Sequence, residues 1–397
     1  MIRYPAYDPP EYVDWKAERA VAAAYLRTTQ ADKRRRAVIS RLTARQLCEL
    51  YEGMVRNRLH DIALKRWVKQ GVISKSWLGT GEEATTIGPV HALERNTAGD
   101  GLKTDFVSPM IRNAGACHEM GMPVADMLRG YLGTDDSPTR GRDLHIGDFS
   151  RGVLAPISHV GETIPVAAGV ALTFKRRREP RVVLAWIGDG STKAGPFHEG
   201  FNFAAVQRLP LIVIIQNNQV ALGTKLNQYQ RGSFAQMIDG YGVEGWQFDG
   251  NNVLDAYAAV KLAVDRARSI TEDRGPFLLV AETFRMGGHA THDEREARET
   301  FPAELFAQWG KRDPIGLFEH YLVGGLVDLE TGKRLKRPGA FRKKNAGVLE
   351  RIEQRVIAEI DQAAEEALLS ARTRQPQPES ASENVYSRTY EDRLAAR

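Results

Sequence analysis

The sequence contains little cysteine and no long apolar run. Only Cys48 and Cys117 occur among 397 residues, and two isolated cysteines provide neither a disulfide framework nor a metal site. No stretch approaches the roughly 20 uninterrupted apolar residues of a membrane-spanning helix, so no membrane association is expected. The first 20 residues carry four acidic side chains and no apolar segment, which argues against a secretory signal or a mitochondrial transit peptide. These absences predict a cytoplasmic protein.

Neither sign of charge dominates the chain. The formal net charge is +5, and charged residues make up 26% of the sequence, close to the average for globular proteins. Basic residues cluster at 33–36 and 175–178, but no aromatic residues alternate with them as they would on a nucleic-acid-binding face. We interpret these runs as solvated surface or partner contacts and predict no nucleic-acid partner.

Short apolar runs alternate with helical patterns in the middle of the chain. Residues 181–187, 211–215 and 277–281 are predicted to be buried strands, and residues 197–207 and 253–268 are predicted to be helices. Continuous apolar strands alternating with helices predict an α/β fold, with a parallel sheet that is covered by helices on both faces.

The chain is predicted to have three parts. Residues 1–44 form an N-terminal arm and helix, residues 45–325 form the main domain, and residues 326–397 form a C-terminal helix and flexible tail. Thr43 is a candidate cap for a helix reaching Gln70. Residues 345–370 read as a long exposed helix, and the tail after Arg374 as disordered or laid on a partner. Residues 284–301 are glycine-containing and charged, which predicts a functional loop.

Polar residues follow two predicted strands directly. Gly188, Asp189 and Gly190 end the first strand, and Asn217 and Asn218 end the next after 26 intervening residues. In an open parallel sheet, ligands bind beyond the carboxyl ends of the strands. The glycines let backbone amides approach a pyrophosphate, while Asp189 and Asn218 offer the oxygen ligands that Mg²⁺ prefers. Gly-Asp-Gly alone is most often a turn, but this spacing predicts a metal-diphosphate site.

This spacing resembles the thiamine diphosphate motif. The stretch 195–205, Gly-Pro-Phe-His-Glu-Gly-Phe-Asn-Phe-Ala-Ala, narrows the resemblance to the alpha subunit of the 2-oxoacid dehydrogenase complexes, and within them to the branched-chain type. The resemblance covers roughly residues 45–325. It includes further short segments in matching order, namely Gly81 to Ala84, Asp105 to Arg112, Gly141 to His145, Ser158 to Pro165, and Gly288-His289. It implies the diphosphate-binding half of a thiamine diphosphate fold, with helical extensions at both ends.

The resemblance also implies a role for individual residues. Metal ligands would be Asp189, Asn218 and the backbone carbonyl of Val220. The cofactor's diphosphate would contact Gly190, Ser191, Arg112 and His289. Its organic rings would contact Ser158 and Val160, of which Val160 would bend the cofactor. His289 and His145 would serve catalysis, with His145 facing the substrate carboxylate or the acyl acceptor. A potassium site would involve Ser158, Glu162 and Thr163, although His159 stands where the family commonly has proline.

The activity that the resemblance implies is oxidative decarboxylation of a branched-chain 2-oxo acid. The acyl group would pass to a lipoyl acyltransferase, and a separate beta subunit would complete the site in an alpha-two beta-two heterotetramer. Two alternatives remain open: the pyruvate or acetoin member of the same family, and a non-catalytic cofactor-binding or scaffold protein. Ala290 occupies the position after His289 that is a phosphorylated serine in mitochondrial relatives, so kinase control there is not expected.

Overall fold

The computed structural model describes residues 15–95, 104–269, 275–334 and 338–383. The arm predicted at the extreme N-terminus falls on residues 1–14, and the last part of the predicted tail falls on 384–397; both lie outside the described residues. No helix in the described ranges is long and apolar enough to cross a membrane.

A five-stranded parallel sheet forms the centre of the molecule, with strand order β1-β2-β3-β7-β6. A two-stranded antiparallel ribbon, β4-β5, lies outside it. The strands are β1 (Phe106–Ser108), β2 (Val183–Gly188), β3 (Leu211–Asn217), β4 (Val220–Ala221), β5 (Thr224–Lys225), β6 (Glu244–Asp249) and β7 (Phe277–Glu282). The three strands predicted from the sequence, which became β2, β3 and β7, are confirmed.

Fifteen α-helices surround the sheet within the described ranges. They are α1 (Arg19–Ala31), α2 (Lys33–Ile39), α3 (Ala44–Lys69), α4 (Glu83–His91), α5 (Ala114–Glu119), α6 (Val124–Leu132), α7 (Thr163–Arg177), α8 (Gly195–Gln207), α9 (Leu226–Tyr229), α10 (Gln236–Gly240), α11 (Val253–Ala267), α12 (Glu294–Thr300), α13 (Ala303–Gly310), α14 (Pro314–Gly324) and α15 (Arg342–Thr373). The predicted cap of α3 is confirmed, because the Thr43 side chain accepts from the Gln46 backbone in a capping box.

Helices cover both faces of the sheet, because successive strand residues point to opposite sides. In β2, Leu184 and Trp186 pack into one apolar cluster with α3, α4 and α11. Their neighbours Val183, Ala185 and Ile187 pack into a second cluster with α7 and α8. The strands are therefore buried on both faces, and the predicted α/β class with a covered parallel sheet is confirmed.

Two expectations about the last quarter of the chain are wrong. Helix α15 is not simply exposed: it packs an apolar stripe that includes Leu349, Val356 and Ile360 into the main core. Residues 284–301 are not entirely a loop, since α12 and a short 3₁₀ turn lie within them. Both segments have many charged residues, so their overall composition suggests solvent exposure. In α15 the charges lie on the outer face of the helix, and composition alone does not reveal the apolar stripe on the other face.

The described part of the tail packs on its own chain. Pro376 lies against Gly141, and the Arg142 guanidinium donates to the carbonyl oxygens of Ser380 at 2.5 Å and Glu383 at 3.0 Å. Arg140 pairs with the Glu383 carboxylate at 3.0 Å. Residues 374–383 are thus ordered against their own chain, so the expectation of disorder is wrong for them; a contact with a partner stays a prediction. The domain boundaries at residues 44 and 325 stay predictions.

Candidate active site

A cleft of about 520 Å³ lies at the carboxyl ends of β2 and β3. The chain leaves β2 at Gly188 and β3 at Asn217, and these two strands are neighbours in the sheet. The residues predicted to serve catalysis or to bind the cofactor or metal line this one cleft, namely Arg112, His145, Ser158, Val160, Asp189, Gly190, Ser191, Asn218, Val220 and His289. Of the predicted potassium ligands, Ser158 and Thr163 line it and Glu162 does not. Segments far apart in the sequence therefore converge where a parallel sheet normally binds its ligands.

The Asp189 carboxylate is held rigidly at the base of the cleft. One oxygen accepts the Gly190 backbone amide at 2.7 Å, and the other accepts the Gln219 backbone amide at 2.7 Å. Burial raises the pKa of Asp189 to about 6. A bound cation would favour the ionised form and offset this cost of burial, so the environment of Asp189 fits a metal ligand.

Asn218 and Val220 complete the oxygen donors on this side of the cleft. Asn218 is buried, and its Oδ1 accepts only one long hydrogen bond, from the Val220 amide at 3.4 Å. That oxygen retains capacity for a cation. The described residues contain no group of three or more His, Cys, Asp or Glu side chains that could hold a metal. A metal here would therefore take its remaining ligands from carbonyl, phosphate and water oxygens, which Mg²⁺ accepts.

Gly190 and Ser191 form the turn beside Asp189. They begin the 3₁₀ turn Gly190–Lys193, and a Cβ atom added to Gly190 would lie 2.4 Å from the Ala221 Cβ. Ala221 fills the space that a side chain would need, so glycine is required here for the turn to pack against the β4-β5 ribbon.

Two buried guanidinium groups face the cleft without a carboxylate partner. Arg112 is 7% exposed and Arg285 is 3% exposed. Arg112 donates to the Leu78 carbonyl at 2.8 Å, and Arg285 donates to the Leu222 carbonyl at 2.8 Å. Neither forms an ion pair among the described residues, and burial together with Arg112 lowers the pKa of Arg285 to about 10. The charge of Glu82 lies near enough to oppose this lowering but makes no direct ion pair with either group. Buried cations without a paired anion are costly, so these two arginines indicate a site for an anion.

His289 lies beside Arg112 on the segment after β7. The Arg112 Nη2 approaches its Nδ1 at 3.4 Å and its carbonyl oxygen at 3.3 Å. Since a guanidinium only donates, Nδ1 acts as the acceptor and the ring proton resides on Nε2. Burial and the Arg112 charge lower the pKa of His289 to about 4. His289 is therefore a neutral hydrogen-bond donor in the cleft at neutral pH.

His145 and Ser158 also line the cleft and contact each other. The Ser158 Oγ is 2.9 Å from the His145 Nε2. On the rim, Val160 is 62% exposed and Leu222 is 60% exposed. Large exposed apolar side chains on the rim of a cleft indicate a surface that another molecule covers.

Two residues of the cleft region were missed by the sequence analysis. Arg285 follows a predicted strand, but a lone arginine carries no motif that separates it from a surface residue. Glu82 was part of the resemblance without a role; it is fully buried, its Oε1 accepts from Gln216 at 2.6 Å, and its Oε2 has no hydrogen-bond partner among the described residues. Burial raises its pKa, which the nearby Arg112 charge opposes. The only sequence feature that pointed to Glu82 was the pair of adjacent acidic residues, Glu82 and Glu83.

Comparison with known proteins identifies the family. The family described as Dehydrogenase E1 component matches residues 51–340, and this chain belongs to it. The chain is 32% identical over 320 residues to the mitochondrial 2-oxoisovalerate dehydrogenase subunit alpha of Mus musculus, covering 79% of this chain and 69% of the relative. It is 29% identical over 353 residues to the 2-oxoisovalerate dehydrogenase subunit alpha of Bacillus subtilis, covering 87% and 97%.

A relative with another substrate name is nearly as similar. The pyruvate dehydrogenase E1 component subunit alpha of Acholeplasma laidlawii is 31% identical over 304 residues, covering 75% of this chain and 81% of the relative. The predicted relationship to 2-oxoacid dehydrogenase alpha subunits is confirmed.

Proposed function

We propose that this chain is the alpha subunit of a 2-oxoacid dehydrogenase of the branched-chain type. In this proposal it binds the diphosphate end of thiamine diphosphate through Mg²⁺, and the complete enzyme decarboxylates a branched-chain 2-oxo acid and passes the acyl group to a lipoyl acyltransferase. Membership of the E1 component family and the 2-oxoisovalerate names of its relatives support the reaction class.

One observation carries the cofactor assignment. Two buried guanidinium groups that form no direct ion pair among the described residues, Arg112 and Arg285, share a cleft with the buried carboxylate of Asp189. A metal cation bound to a polyanion would neutralise the Asp189 carboxylate and the two guanidinium groups together. A simple anion would neutralise only the arginines, and a lone metal ion only the carboxylate. A metal diphosphate meets this requirement.

The residues of the cleft would divide the work of binding. Asp189, the Asn218 carbonyl oxygen and the Val220 backbone carbonyl would hold the metal. Backbone amides at Gly190 and Ser191, with Arg112, would hold the diphosphate oxygens, since oriented amides and a guanidinium fork suit phosphates. Ser158 and Val160 would contact the organic rings. When bound, thiamine diphosphate supplies the electron sink that accepts the electron pair left as carbon dioxide departs.

His289 would donate a hydrogen bond through its Nε2 proton. Because it lies beside Arg112, this donor would be near the diphosphate and near the reacting end of a bound substrate. Because the ring is neutral, it can polarise a carbonyl or phosphate oxygen without adding a second full charge beside two guanidinium groups.

The cleft requires a partner chain to exclude water. The exposed side chains of Val160 and Leu222 on the rim would be covered by a beta subunit, in an alpha-two beta-two assembly. The potassium site at Ser158, Glu162 and Thr163 and the cytoplasmic location stay predictions. The Thr163 hydroxyl already contacts the Ser108 hydroxyl at 2.5 Å, so a potassium ion there would have to compete with this contact.

A pyruvate-specific enzyme is the second candidate, favoured by the similarity to the Acholeplasma laidlawii relative. A scaffold that lacks catalysis is a third possibility, and the complete set of charged residues in the cleft argues against it. Substrate preference distinguishes the first two, and turnover distinguishes both from the third.

The test is decarboxylation by this chain purified together with its beta subunit, thiamine diphosphate and Mg²⁺, with a dye as electron acceptor. We expect turnover of 2-oxoisovalerate faster than of pyruvate or acetoin. Asp189→Ala should lower kcat at least about 100-fold, because it removes the anionic ligand of a metal that contributes several kcal/mol. Asp361→Ala, an exposed acid on α15, is the matched control and should leave the rate unchanged.

Three outcomes would contradict the proposal. Tight binding of cofactor without turnover of any 2-oxo acid would favour the scaffold. Faster turnover of pyruvate would transfer the assignment to the second candidate. Unchanged magnesium affinity in Asp189→Ala, measured by calorimetry, would remove Asp189 from the metal site.

A further inference from the structure

Three side chains form a continuous hydrogen-bonded row that runs from the cleft to the protein surface. The Ser158 Oγ lies 2.9 Å from the His145 Nε2, and the His145 Nδ1 lies 2.7 Å from the Asp143 Oδ1. The same Asp143 oxygen also accepts the His145 backbone amide at 3.0 Å. Asp143 thus fixes both the ring and the backbone of His145.

The row fixes the tautomer of His145. An ionised carboxylate only accepts hydrogen bonds, so the His145 Nδ1 carries a proton. Partial burial of Asp143 opposes ionisation, but the hydrogen bonds from His145 outweigh it and hold the pKa of Asp143 below its usual value. The His145 Nε2 can therefore accept the Ser158 hydroxyl proton or, when the ring is protonated, donate toward it, while Asp143 stabilises either form.

Both ends of the row, Ser158 and Asp143, are exposed to solvent on this chain, but only the Ser158 end lines the cleft. Ser158 and His145 line the cleft, and the His145 side chain is 16% exposed, whereas the Asp143 side chain is 57% exposed and does not line the cleft. A proton can enter from solvent at the His145–Asp143 pair and reach the cleft at Ser158. This connection would persist when a partner covers the rim at Val160 and Leu222.

The proposed reaction requires a proton to reach the cleft from solvent. A 2-oxo acid anion, a cyclic disulfide and one proton give carbon dioxide, a thioester and a thiol. The bond between the carboxylate and the keto carbon breaks, the keto carbon bonds to one sulfur, and the disulfide bond breaks with reduction of the other sulfur. That second sulfur takes up the proton. Each turnover therefore consumes one proton from solvent.

We propose that Ser158, His145 and Asp143 conduct this proton from solvent into the cleft, with Asp143 as the positioning residue for His145. The inference rests on the proposed function, since the disulfide acceptor belongs to it. It extends that function by adding Asp143, which lies outside the cleft and which no feature of the sequence distinguished.

The test compares two electron acceptors in the assembled enzyme. Transfer to the lipoyl domain of the complex's acyltransferase consumes a proton. Oxidation by a dye does not, because two electrons leave to the dye and water adds to the acyl carbon with release of protons. We expect Asp143→Asn to lower the lipoyl-linked kcat at least fivefold while the dye-linked kcat stays within twofold of wild type. Asp135→Asn removes another exposed carboxylate of the same segment and should change neither rate.

Buffer dependence separates proton delivery from a structural effect. In Asp143→Asn, raising the concentration of a small buffer acid such as imidazolium at constant pH and ionic strength should restore part of the lipoyl-linked rate. Wild type should show no such dependence. Asp143→Glu, which keeps the carboxylate, should retain most of the lipoyl-linked rate.

The proposal is overturned if Asp143→Asn matches wild type with the lipoyl domain, if both rates fall equally, or if buffer acid restores nothing. Failure of the proposed function gives a different result: wild type would turn over no 2-oxo acid with either acceptor, and the proton path would be overturned with it.

Discussion

Gly190 lies where the chain turns from β2 into the cleft, and it has no room for a side chain. The Cβ of an alanine there would lie 2.4 Å from the Ala221 Cβ, closer than two methyl groups can approach. Because Ala221 belongs to the β4-β5 ribbon, this turn and the ribbon must separate to admit the methyl group. The separation would displace the amides proposed to hold the diphosphate.

We therefore expect Gly190→Ala to weaken thiamine diphosphate binding at least tenfold in the assembled protein, with a loss of about 1 to 3 kcal/mol in the free energy of unfolding. Cofactor titration by tryptophan fluorescence and chemical unfolding measure the two effects. Gly195→Ala is the matched control, because nothing lies within 4 Å of its added Cβ. Equal cofactor affinity in the two variants would show that the turn is not the diphosphate site.

Among single residues, those that belong to a sequence motif could be predicted, and those that belong to none could not. Asp189 and Asn218 were found because strand ends and their spacing mark them. Arg285 and Asp143 were missed because their importance depends on which distant groups they meet in space. Arg285 acquires its role from Arg112, and Asp143 acquires its role from the ring of His145.

Among the elements, α3 and α5 are joined by a buried pair of histidines. The His60 Nδ1 and the His118 Nε2 are 2.5 Å apart, and the His118 Nδ1 lies 3.3 Å from the Met122 carbonyl. His118 Nδ1 therefore donates to that carbonyl and His118 Nε2 accepts from His60, which leaves the His60 Nε2 unprotonated and without a partner among the described residues. Both rings are neutral.

Acid should therefore weaken the contact between these helices. Burial lowers the pKa of His118 to about 4, and burial with the adjacent His118 lowers that of His60. Between pH 6.5 and 4 the unfolded chain binds protons that the folded chain does not, so the free energy of unfolding falls as the pH falls. We expect a loss of about 2 kcal/mol from His118 between pH 7.5 and 5, measured by urea unfolding.

Replacement of the pair provides the comparison for this prediction. The double variant His60→Gln with His118→Gln should lose stability at pH 7.5 but show a smaller further loss at pH 5. A matched change at the exposed His159 should leave the pH dependence of wild type intact. If the double variant keeps the full pH dependence, the acid sensitivity originates elsewhere.

Element positions were predictable where apolar periodicity was strong. The strands that became β2, β3 and β7 were found because every residue of their cores is buried and apolar. Strand β1 was missed because it has only three residues. Strand β6 was missed because it lies at the sheet edge, and its sequence Glu-Gly-Trp-Gln-Phe-Asp is half polar and only partly buried.

On the scale of the whole molecule, the C-terminal segment 374–383 packs against the stretch of chain that carries His145, one of the residues that line the cleft. It holds Arg140 and Arg142, which directly precede the Asp143–His145 pair. This segment lies beyond residue 340, where the match to the family ends. The arrangement was not predictable from composition, because proline-rich and polar tails have no internal periodicity and reveal their contacts only in the folded chain.

A chain that ends at Arg374 should therefore lose order in the segment that carries His145. We expect faster amide exchange at residues 138–145 and a lower lipoyl-linked rate. The change in Tm should be small, since exposed ion pairs contribute only about 0 to 1 kcal/mol each. Hydrogen exchange with mass spectrometry makes the measurement. A chain that ends at Glu383 keeps the described contacts of the segment and is the control; the same fast exchange in both chains would contradict the prediction.

The exposed apolar rim at Val160 and Leu222 has a consequence for how the protein responds to dilution. If a second chain must cover that rim before the cofactor is fully enclosed, cofactor retention and subunit association are linked by mass action. The apparent affinity for thiamine diphosphate would then rise with protein concentration, and saturating cofactor would in turn hold the subunits together. Vitamin supply would thereby control how much of the complex is assembled, as well as how fast each assembled copy works.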